Sequence, residues 1–420
     1  MIKTVSLLIL VFTITLSAQK SKDPVISEFT KKTEQQKFLE DLRNRVIKEN
    51  FSLPLSKSTE EKWEQAFWAV QLILDKSDST LSKVKFALST FPVRGAGFIR
   101  SALQAAYTLF PDTFSTEVRA IFDSTLNTKL FTMAALYLLR SGKTDYNSIS
   151  EMVNSRFIKE KDDPILTMLL WQTGEQQDIP PVEEILKYQP DSTKITIYSL
   201  QRKNRNYDGK LIIKLPGNKL YRNPDSSLFI IPQFARAVSN LPGYLTNGNS
   251  PQGVYSINVP YVSENKFIGP TKRLKLFLPF EVKQNIFFHY SIKSNADITG
   301  EQYAALLPES WRGFTGIYES FYAGKAGRYD IVLHGATTDR SYYEKEIYYP
   351  NIPTNGCLST LEYWDPVTGK RTESDQQKLI DFIEKSGNPP GFLVLVEIDD
   401  QQQDVTYEEV MELINLAGLE

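Results

Sequence analysis

Cys357 and His334 are the residues of this 420-residue chain whose types and spacing best suit chemistry. The chain has one cysteine and two histidines; Cys357 directly follows a glycine, and His334, 23 residues upstream, directly precedes one. A thiolate attacks carbonyl carbon far better than a thiol does, so the sulfur needs a neighbour that takes its proton near neutral pH. Histidine is the side chain best suited to that task. The pair therefore predicts a cysteine nucleophile with His334 as its base.

Structural roles for the same residues remain open at this stage. A lone cysteine can be a buried apolar filler or form an intermolecular link. A histidine at the end of a strand can be a core residue with satisfied hydrogen bonds. We interpret the second histidine, His289, in this structural way because it lies in an aromatic segment.

The first 18 residues predict a signal peptide. They combine a basic start at Lys3, an apolar run over residues 5–16 and a small residue, Ala18, at the cleavage point. The run is short for a permanent membrane span. We expect an exported protein of the periplasm or cell envelope, with no stable membrane span after cleavage. Because structural cysteines in such oxidising compartments are usually paired, the lone Cys357 favours a reactive thiol.

Charge balance and missing motifs exclude several classes of function. The chain has 48 basic and 50 acidic residues and a pI of about 6.0, which does not suit a surface that follows phosphates. It has neither a glycine-rich nucleotide motif nor a specific metal-ligand spacing. We expect no nucleic acid partner, no metal and no cofactor.

The patterning predicts an α+β multidomain protein that begins, after the signal peptide, with an all-helical domain over residues 19–190. Trp63, Phe67 and Val70 recur at the spacing of one buried helix face. Ser58 and Glu61 form the pattern of a capping box at the start of that helix.

A β-rich domain is predicted over residues 191–400, followed by a C-terminal helix over 401–420 capped by Thr406 and Glu409. Short runs rich in β-branched and aromatic residues, bounded by glycine, proline and asparagine, are typical of a β-sandwich or barrel-like domain. The predicted strands are residues 194–200, 210–214, 228–231, 253–259, 274–277, 285–290, 329–333 and 392–398.

Three segments of the C-terminal half, in order, resemble the L,D-transpeptidase catalytic domain (the YkuD-type family). They are Ser250-Pro251-Gln252-Gly253-Val254-Tyr255, His334-Gly335 and Thr354-Asn355-Gly356-Cys357. The resemblance covers about residues 192–400. It implies an L,D-transpeptidase-like β-sandwich domain and a cysteine acyltransferase that acts on peptidoglycan stem peptides in cell wall biogenesis.

The resemblance also implies roles for individual residues. Cys357 would form a thioester with the stem peptide, and His334 would carry protons, its tautomer fixed by the backbone carbonyl of Gly335. The oxyanion would be bound by the backbone N–H of Cys357 and that of Gly356 or Asn355. We further expect Thr354, Ser359, Tyr349 and Arg340 to bind substrate, although the loop that contains Tyr349 could equally be a packed insertion.

Two positions depart from the family pattern. Asn355 occupies the place of a usual histidine, and Ser359 that of a usual arginine. The segment between His334 and Cys357 is also longer than usual and rich in tyrosine. We expect these changes to affect the acyl acceptor and substrate recognition, with Arg340 supplying the missing positive charge.

Other functions remain open at this stage. Water could replace the acceptor amine, which would make the protein an L,D-carboxypeptidase-like hydrolase. It could also be an inactive wall-binding scaffold. A sortase-type transpeptidase would use an arginine such as Arg371, whereas papain-like peptidases have the opposite order of cysteine and histidine. We expect the helical domain to position the enzyme on the wall or on a protein partner.

Overall fold

The computed structural model describes residues 24–338 and 354–419. The predicted signal peptide, Arg340 and Tyr349 lie outside these residues. The described chain combines a helical N-terminal half with a sheet-rich C-terminal half, which confirms the α+β class. Within the described residues, no helix is both long enough and apolar enough to cross a bilayer.

Helices dominate the chain before residue 190. Trp63, Phe67 and Val70 are fully buried on one helix, as their spacing predicts. The predicted capping box is wrong, because this helix begins at Glu60 after Thr59 and has no side-chain cap. A π-helical segment, Leu42–Glu49, joins the first two helices. The helices are α1 Lys32–Asp41, α2 Asn50–Ser52, α3 Glu60–Leu72, α4 Asp78–Ser89, α5 Ala96–Leu109, α6 Ser115–Ser124, α7 Thr128–Arg140, α8 Tyr146–Arg156, α9 Pro164–Thr173 and α10 Val182–Lys187.

Strands dominate after residue 190, interrupted by short helices. The strands are β1 Ile195–Arg202, β2 Gly209–Leu215, β3 Lys219–Leu220, β4 Ile230–Phe234, β5 Gly253–Tyr261, β6 Arg273–Phe277, β7 Ile331–His334, β8 Leu358–Thr360, β9 Glu362–Trp364, β10 Arg371–Ser374 and β11 Gly391–Asp399. The helices of this half are α11 Gln284–Phe287, α12 Gly300–Ala304, α13 Glu319–Lys325, α14 Asp375–Lys385 and α15 Tyr407–Leu416.

Eight of these strands close into a ring. The order is β1-β11-β5-β6-β7-β8-β4-β2, and β2 pairs with β1 to complete the barrel, while β3 extends from β2. The pairs β1–β11 and β7–β8 are parallel, and the other pairs of the ring are antiparallel. The barrel-like arrangement is thus observed, and the two-layer sandwich is not confirmed.

One predicted strand, residues 285–290, is wrong. Its first half forms α11, and His289 then adopts a left-handed backbone conformation with φ of 58°. This geometry buries Phe287 and Phe288 together. The His289 ring donates from Nε2 to the Gly391 carbonyl at 2.9 Å, so its contacts are those of a structural residue.

The two halves share one apolar core. A single cluster of buried side chains contains Phe67 and Leu103 from the helices and Ile197 and Leu393 from the barrel. A second cluster, which includes Tyr198 and Val394 of the same strands, packs beneath α10 and α15. Because successive side chains of a strand point to opposite faces, both faces of β1 and β11 are covered. The capping box predicted for Thr406 and Glu409 is confirmed at α15.

Candidate functional site

Parallel pairing of β7 with β8 brings His334 and Cys357 onto neighbouring segments of the barrel wall. Leu333 is paired with Leu358 and His334 with Ser359. Cys357 directly precedes β8 and is therefore level with Val332, two residues before His334. Since alternate residues share a face, the Cys357 and His334 side chains lie on the same face.

Both side chains line one cavity of about 570 Å³. Its walls come from the barrel, from the segment 327–332 and from Thr246 and Asn247, while Trp68 of α3 completes it from the helical half. Gln104 on α5 donates to the Thr246 carbonyl at 3.0 Å. The helical half is thus part of the wall around the cysteine.

His334 is held as a neutral base. Its side chain is buried, with only 2% of the residue exposed, and Nδ1–H donates to the carbonyl of Gly335. A carbonyl can only accept, so the proton is on Nδ1 and Nε2 is left as the acceptor. Burial lowers the pKa of His334 to about 4, against the opposing effect of the Gly335 carbonyl.

Cys357 is held as a neutral thiol. The residue is half-buried, and its Sγ lies 3.9 Å from the Asp330 carbonyl, a weak contact. Burial raises the pKa of the Cys357 thiol, while the Val332 N–H and the cations Arg328 and Arg273 oppose that rise. The cavity therefore holds a neutral thiol and a neutral imidazole rather than an ion pair.

Arg328 joins the loop over residues 243–249 to the turn that leads into Cys357. Its guanidinium donates to the carbonyls of Gly243, of Asn249 at 2.7 Å, of Gly248 at 2.6 Å and of Asn355 at 3.4 Å. A guanidinium offers five donors in a rigid plane, which suits such a set of carbonyls. No sequence motif pointed to Arg328.

Gly356 is required where the turn passes Arg328. Its φ is +108°, and a Cβ there would overlap Arg328 Nη2 and the Gly248 carbonyl. Ser250, at the start of the first family-like segment, donates to the Gly356 carbonyl at 2.9 Å. This contact brings two of the three family-like segments together around the cysteine.

The predicted oxyanion residues differ in their contacts. The Gly356 N–H donates to Thr354 Oγ1 at 3.2 Å, so that donor is already engaged. The Thr354 hydroxyl in turn donates to the Arg236 carbonyl at 3.2 Å. Asn355 is exposed and lines the cavity. Thr354 thus shapes the turn, which leaves the backbone of Asn355 and Cys357 as the candidates for oxyanion binding.

Other predicted residues lie away from the cavity or outside the described chain. Ser359 is fully buried and does not line the cavity. Arg371, the residue that a sortase-type site would need, bonds to Thr271 and Gln377 instead. Arg340 and Tyr349 lie outside the described residues.

Arg273 supplies a positive charge inside the cavity. It lies at the start of β6 and its guanidinium is 4.2 Å from the ring centroid of Tyr261. Its Nε is buried and has no hydrogen-bond partner among the described residues. Arg273 lines the same cavity as His334 and Cys357, and its charge lowers the pKa of both. It is 61 residues from His334 along the chain, and no local pattern indicated its place.

Glu362 packs against Gly335, the residue whose carbonyl accepts from His334. Its Oε1 accepts from Thr271 at 2.5 Å and from Ser374 at 2.6 Å, and burial raises its pKa to about 7. A Cβ at Gly335 would overlap this carboxyl group. Glycine at position 335 therefore leaves room for the Glu362 carboxyl group.

The site has to be interpreted from its own residues. Across residues 24–338 and 354–419, no group of three or more His, Cys, Asp or Glu side chains could hold a metal ion. The chain matches no protein-family model, no curated protein and no solved structure.

The neutral thiol and imidazole predict slow alkylation of Cys357 in the protein without a ligand. The rate of Cys357 modification by iodoacetamide, measured against pH, should have its midpoint above the value of about 8.5 of an ordinary thiol. Arg273→Gln should move that midpoint higher still, because a charge that favours the thiolate is lost. A midpoint below 7 in the substrate-free protein would contradict the neutral pair.

Replacing Gly356 should damage the site through crowding. Gly356→Ala should lower the free energy of unfolding by about 1–3 kcal/mol, since both the φ and the contact with Arg328 oppose a Cβ. The matched control is Gly387→Ala, where φ is +78° but no atom lies within 4 Å of the added Cβ. The free energies of unfolding of both variants are measured in urea. Equal losses would show that backbone strain from the positive φ, rather than contact with Arg328, opposes a Cβ at position 356.

Proposed function

We propose that the protein is an exported L,D-transpeptidase-like acyltransferase that forms a Cys357 thioester with peptidoglycan stem peptides. The observation that carries this proposal is that the parallel pair β7–β8 puts His334, the last residue of β7, and Cys357, which directly precedes β8, into the lining of one cavity. The order of the three family-like segments, and the Ser250–Gly356 contact between two of them, support it further.

The geometry suits nucleophilic catalysis on an amide. His334 Nε2 takes the proton of the Cys357 thiol as the sulfur attacks the carbonyl carbon of the third stem residue. The C–N bond to the terminal D-alanine then breaks, and the imidazolium gives its proton to the leaving amine. An amine of a second stem attacks the thioester, His334 takes its proton, and the cysteine is released as a thiol.

The low pKa of His334 favours release of the proton that its ring has taken up. An imidazolium that is poorly stabilised by its surroundings gives up its proton readily, which favours protonation of the leaving amine. Its formation is opposed by burial and by Arg273, so proton transfer must accompany attack rather than precede it. The neutral resting state also keeps the thiol in its unreactive form until a substrate is bound.

Arg273 is assigned to recognition of a substrate carboxylate. Stem peptides have carboxylates close to the amide bond that would be cleaved. A guanidinium that packs one face on an aromatic ring still presents N–H groups at the edge of its plane. These groups can bind a carboxylate through two hydrogen bonds. Arg273 would thereby replace the arginine that the family usually has at the position of Ser359.

Product analysis tests the reaction directly. The full mature protein is incubated with a tetrapeptide-stem muropeptide, and the products are separated and identified by mass spectrometry. A cross-linked dimer plus free D-alanine is expected; both should disappear in Cys357→Ala and form more slowly in His334→Gln. A shortened tripeptide stem without dimer would show that the protein hydrolyses the stem peptide rather than transferring it. The absence of any product from a folded protein would favour the inactive scaffold.

Arg273 variants test substrate recognition. Arg273→Gln should raise KM for the stem peptide and lower kcat/KM by about 10- to 100-fold, the range for a lost hydrogen bond between charged groups. Arg273→Lys should recover part of the loss, and a donor with its carboxylates amidated should be insensitive to the substitution. Arg222→Gln, at a residue that does not line the cavity, is the matched control. An unchanged KM in Arg273→Gln would overturn this role.

A further inference from the structure

A second cavity, of about 420 Å³, lies where α5, α7 and α9 begin and where α13 ends. It shares no lining residue with the cavity around Cys357. Among the residues that the structure describes, its lining contains three cations, Arg100, Lys129 and Lys325, and one carboxylate, Asp163. We refer to this space as the basic cavity.

The three cations keep N–H donors that the described chain does not use. Lys129 is half-buried and its Nζ donates to Thr246 Oγ1 at 2.8 Å, which leaves two of the three ammonium donors. Arg100 donates no hydrogen bond to a described residue; its Nε is buried, whereas its terminal nitrogens are not. Lys325 is exposed. None of the three forms an ion pair within 4 Å among the described residues.

The carboxylates nearby do not neutralise these cations. Burial lowers the pKa of Lys129, the charge of Arg100 lowers it further, and the charge of Asp163 opposes the shift. Asp163 is engaged elsewhere, because Oδ1 caps α9 and Oδ2 accepts from the Thr128 hydroxyl at 3.0 Å. Glu64 also interacts with Arg100, but it lines a neighbouring cavity. Since like charges line one cavity without ion-pair partners, an anion from outside the chain would stabilise them.

The start of α5 adds backbone donors to the basic cavity. Ala96 and Gly97 line it, and no side chain caps this helix at Gly95. A Cβ at Gly95 would have no atom within 4 Å, so a ligand can approach the helix start. By contrast, Asn127 accepts from the third residue of α7 at 3.0 Å. The free N–H groups and the dipole of a helix start favour an anion that the side-chain cations already attract.

Charge and size together favour a phosphate ester. Three cations against one carboxylate leave two positive charges in the lining. A phosphomonoester carries about −1.5 to −2 charges at pH 7 and three strong acceptor oxygens, whereas a carboxylate carries a single charge. Small-molecule sites typically measure about 300–1,000 Å³, and the basic cavity falls in that range, with room for more than a phosphate ion.

We propose that the basic cavity binds the phosphate group of a small phosphomonoester. The phosphate oxygens accept from Arg100, Lys129 and Lys325 and from the first N–H groups of α5. The site does not rest on the proposed enzyme, because none of its residues line the cavity around Cys357.

Titration calorimetry of the full mature protein with glycerol 3-phosphate, at pH 7.5 and constant ionic strength, tests the site. A Kd below about 1 mM is expected, the level of weak but specific binding. Dimethyl phosphate, which has the same tetrahedral centre but one charge, should bind at least 5-fold more weakly. Inorganic phosphate should also bind more weakly than the ester. Tighter binding of the free ion would overturn the assignment to an ester.

Substitutions of the cations test their contribution. Arg100→Gln should weaken binding of glycerol 3-phosphate about 10-fold, and Lys325→Met, at an exposed position, about 3-fold. The matched control is Lys159→Met, which removes the same charge from an exposed lysine that does not line the cavity. Cys357→Ala should leave the affinity unchanged. Equal weakening in Lys159→Met and Lys325→Met, with both proteins folded by circular dichroism, would mean that net charge alone attracts the ligand and would overturn the site.

Hydrogen exchange of the wild-type protein locates the ligand without any variant. Protection by glycerol 3-phosphate is expected in the segments 95–100 and 127–130 and not in 327–334. No binding to the folded wild type, equal binding of glycerol 3-phosphate and dimethyl phosphate, or protection centred on 327–334 would each overturn the proposal. Phosphate binding together with an inert Cys357 would support the basic cavity as a site and refute only the proposed enzyme.

Discussion

The guanidinium of Arg328, set among four backbone carbonyls, is the interaction on which the geometry of the site depends. It joins the loop over residues 243–249 to Asn355, so the turn before Cys357 cannot move without that loop. Burial lowers the pKa of Arg328, yet an arginine stays charged in a protein. A buried guanidinium that donates to carbonyls instead of water holds those carbonyls firmly. The loss of any one of these hydrogen bonds would leave a charged N–H donor unpaired.

The consequences reach both halves of the molecule. The loop that Arg328 holds also contacts α5 through Gln104, which donates to the carbonyl of Thr246. Thr108 of the same helix donates to the carbonyl of Ser239, four residues before the loop. Glu319 accepts the N–H groups of Tyr244 and Gln252, which lie close to the two ends of the same loop. The turn before Cys357 and the helical half therefore meet at one short stretch of chain. The helical half is part of the architecture of the site rather than an appended module.

Sequence patterns anticipated the local features of this structure better than its long-range contacts. The rarity of cysteine and histidine singled out Cys357 and His334, and residue spacing indicated the buried face of α3 and the start of β5. The prediction of a strand over residues 285–290 was wrong because a short helix can bury an aromatic run as well as a strand can. Arg328 and Arg273 were missed because their roles arise only after the barrel closes. Their neighbours in sequence contain no motif, and their partners lie tens of residues away.

Intact-mass spectrometry of the mature protein mixed with a tetrapeptide-stem muropeptide is the most direct test of the central claim, that Cys357 is a nucleophile activated by His334. The account predicts a mass increase equal to the muropeptide less D-alanine, in the wild type and absent from Cys357→Ala. Slower adduct formation is predicted for His334→Gln, with circular dichroism showing that each protein is folded. An adduct of equal mass in Cys357→Ala, or none in a folded wild type under conditions that saturate the site, would contradict it.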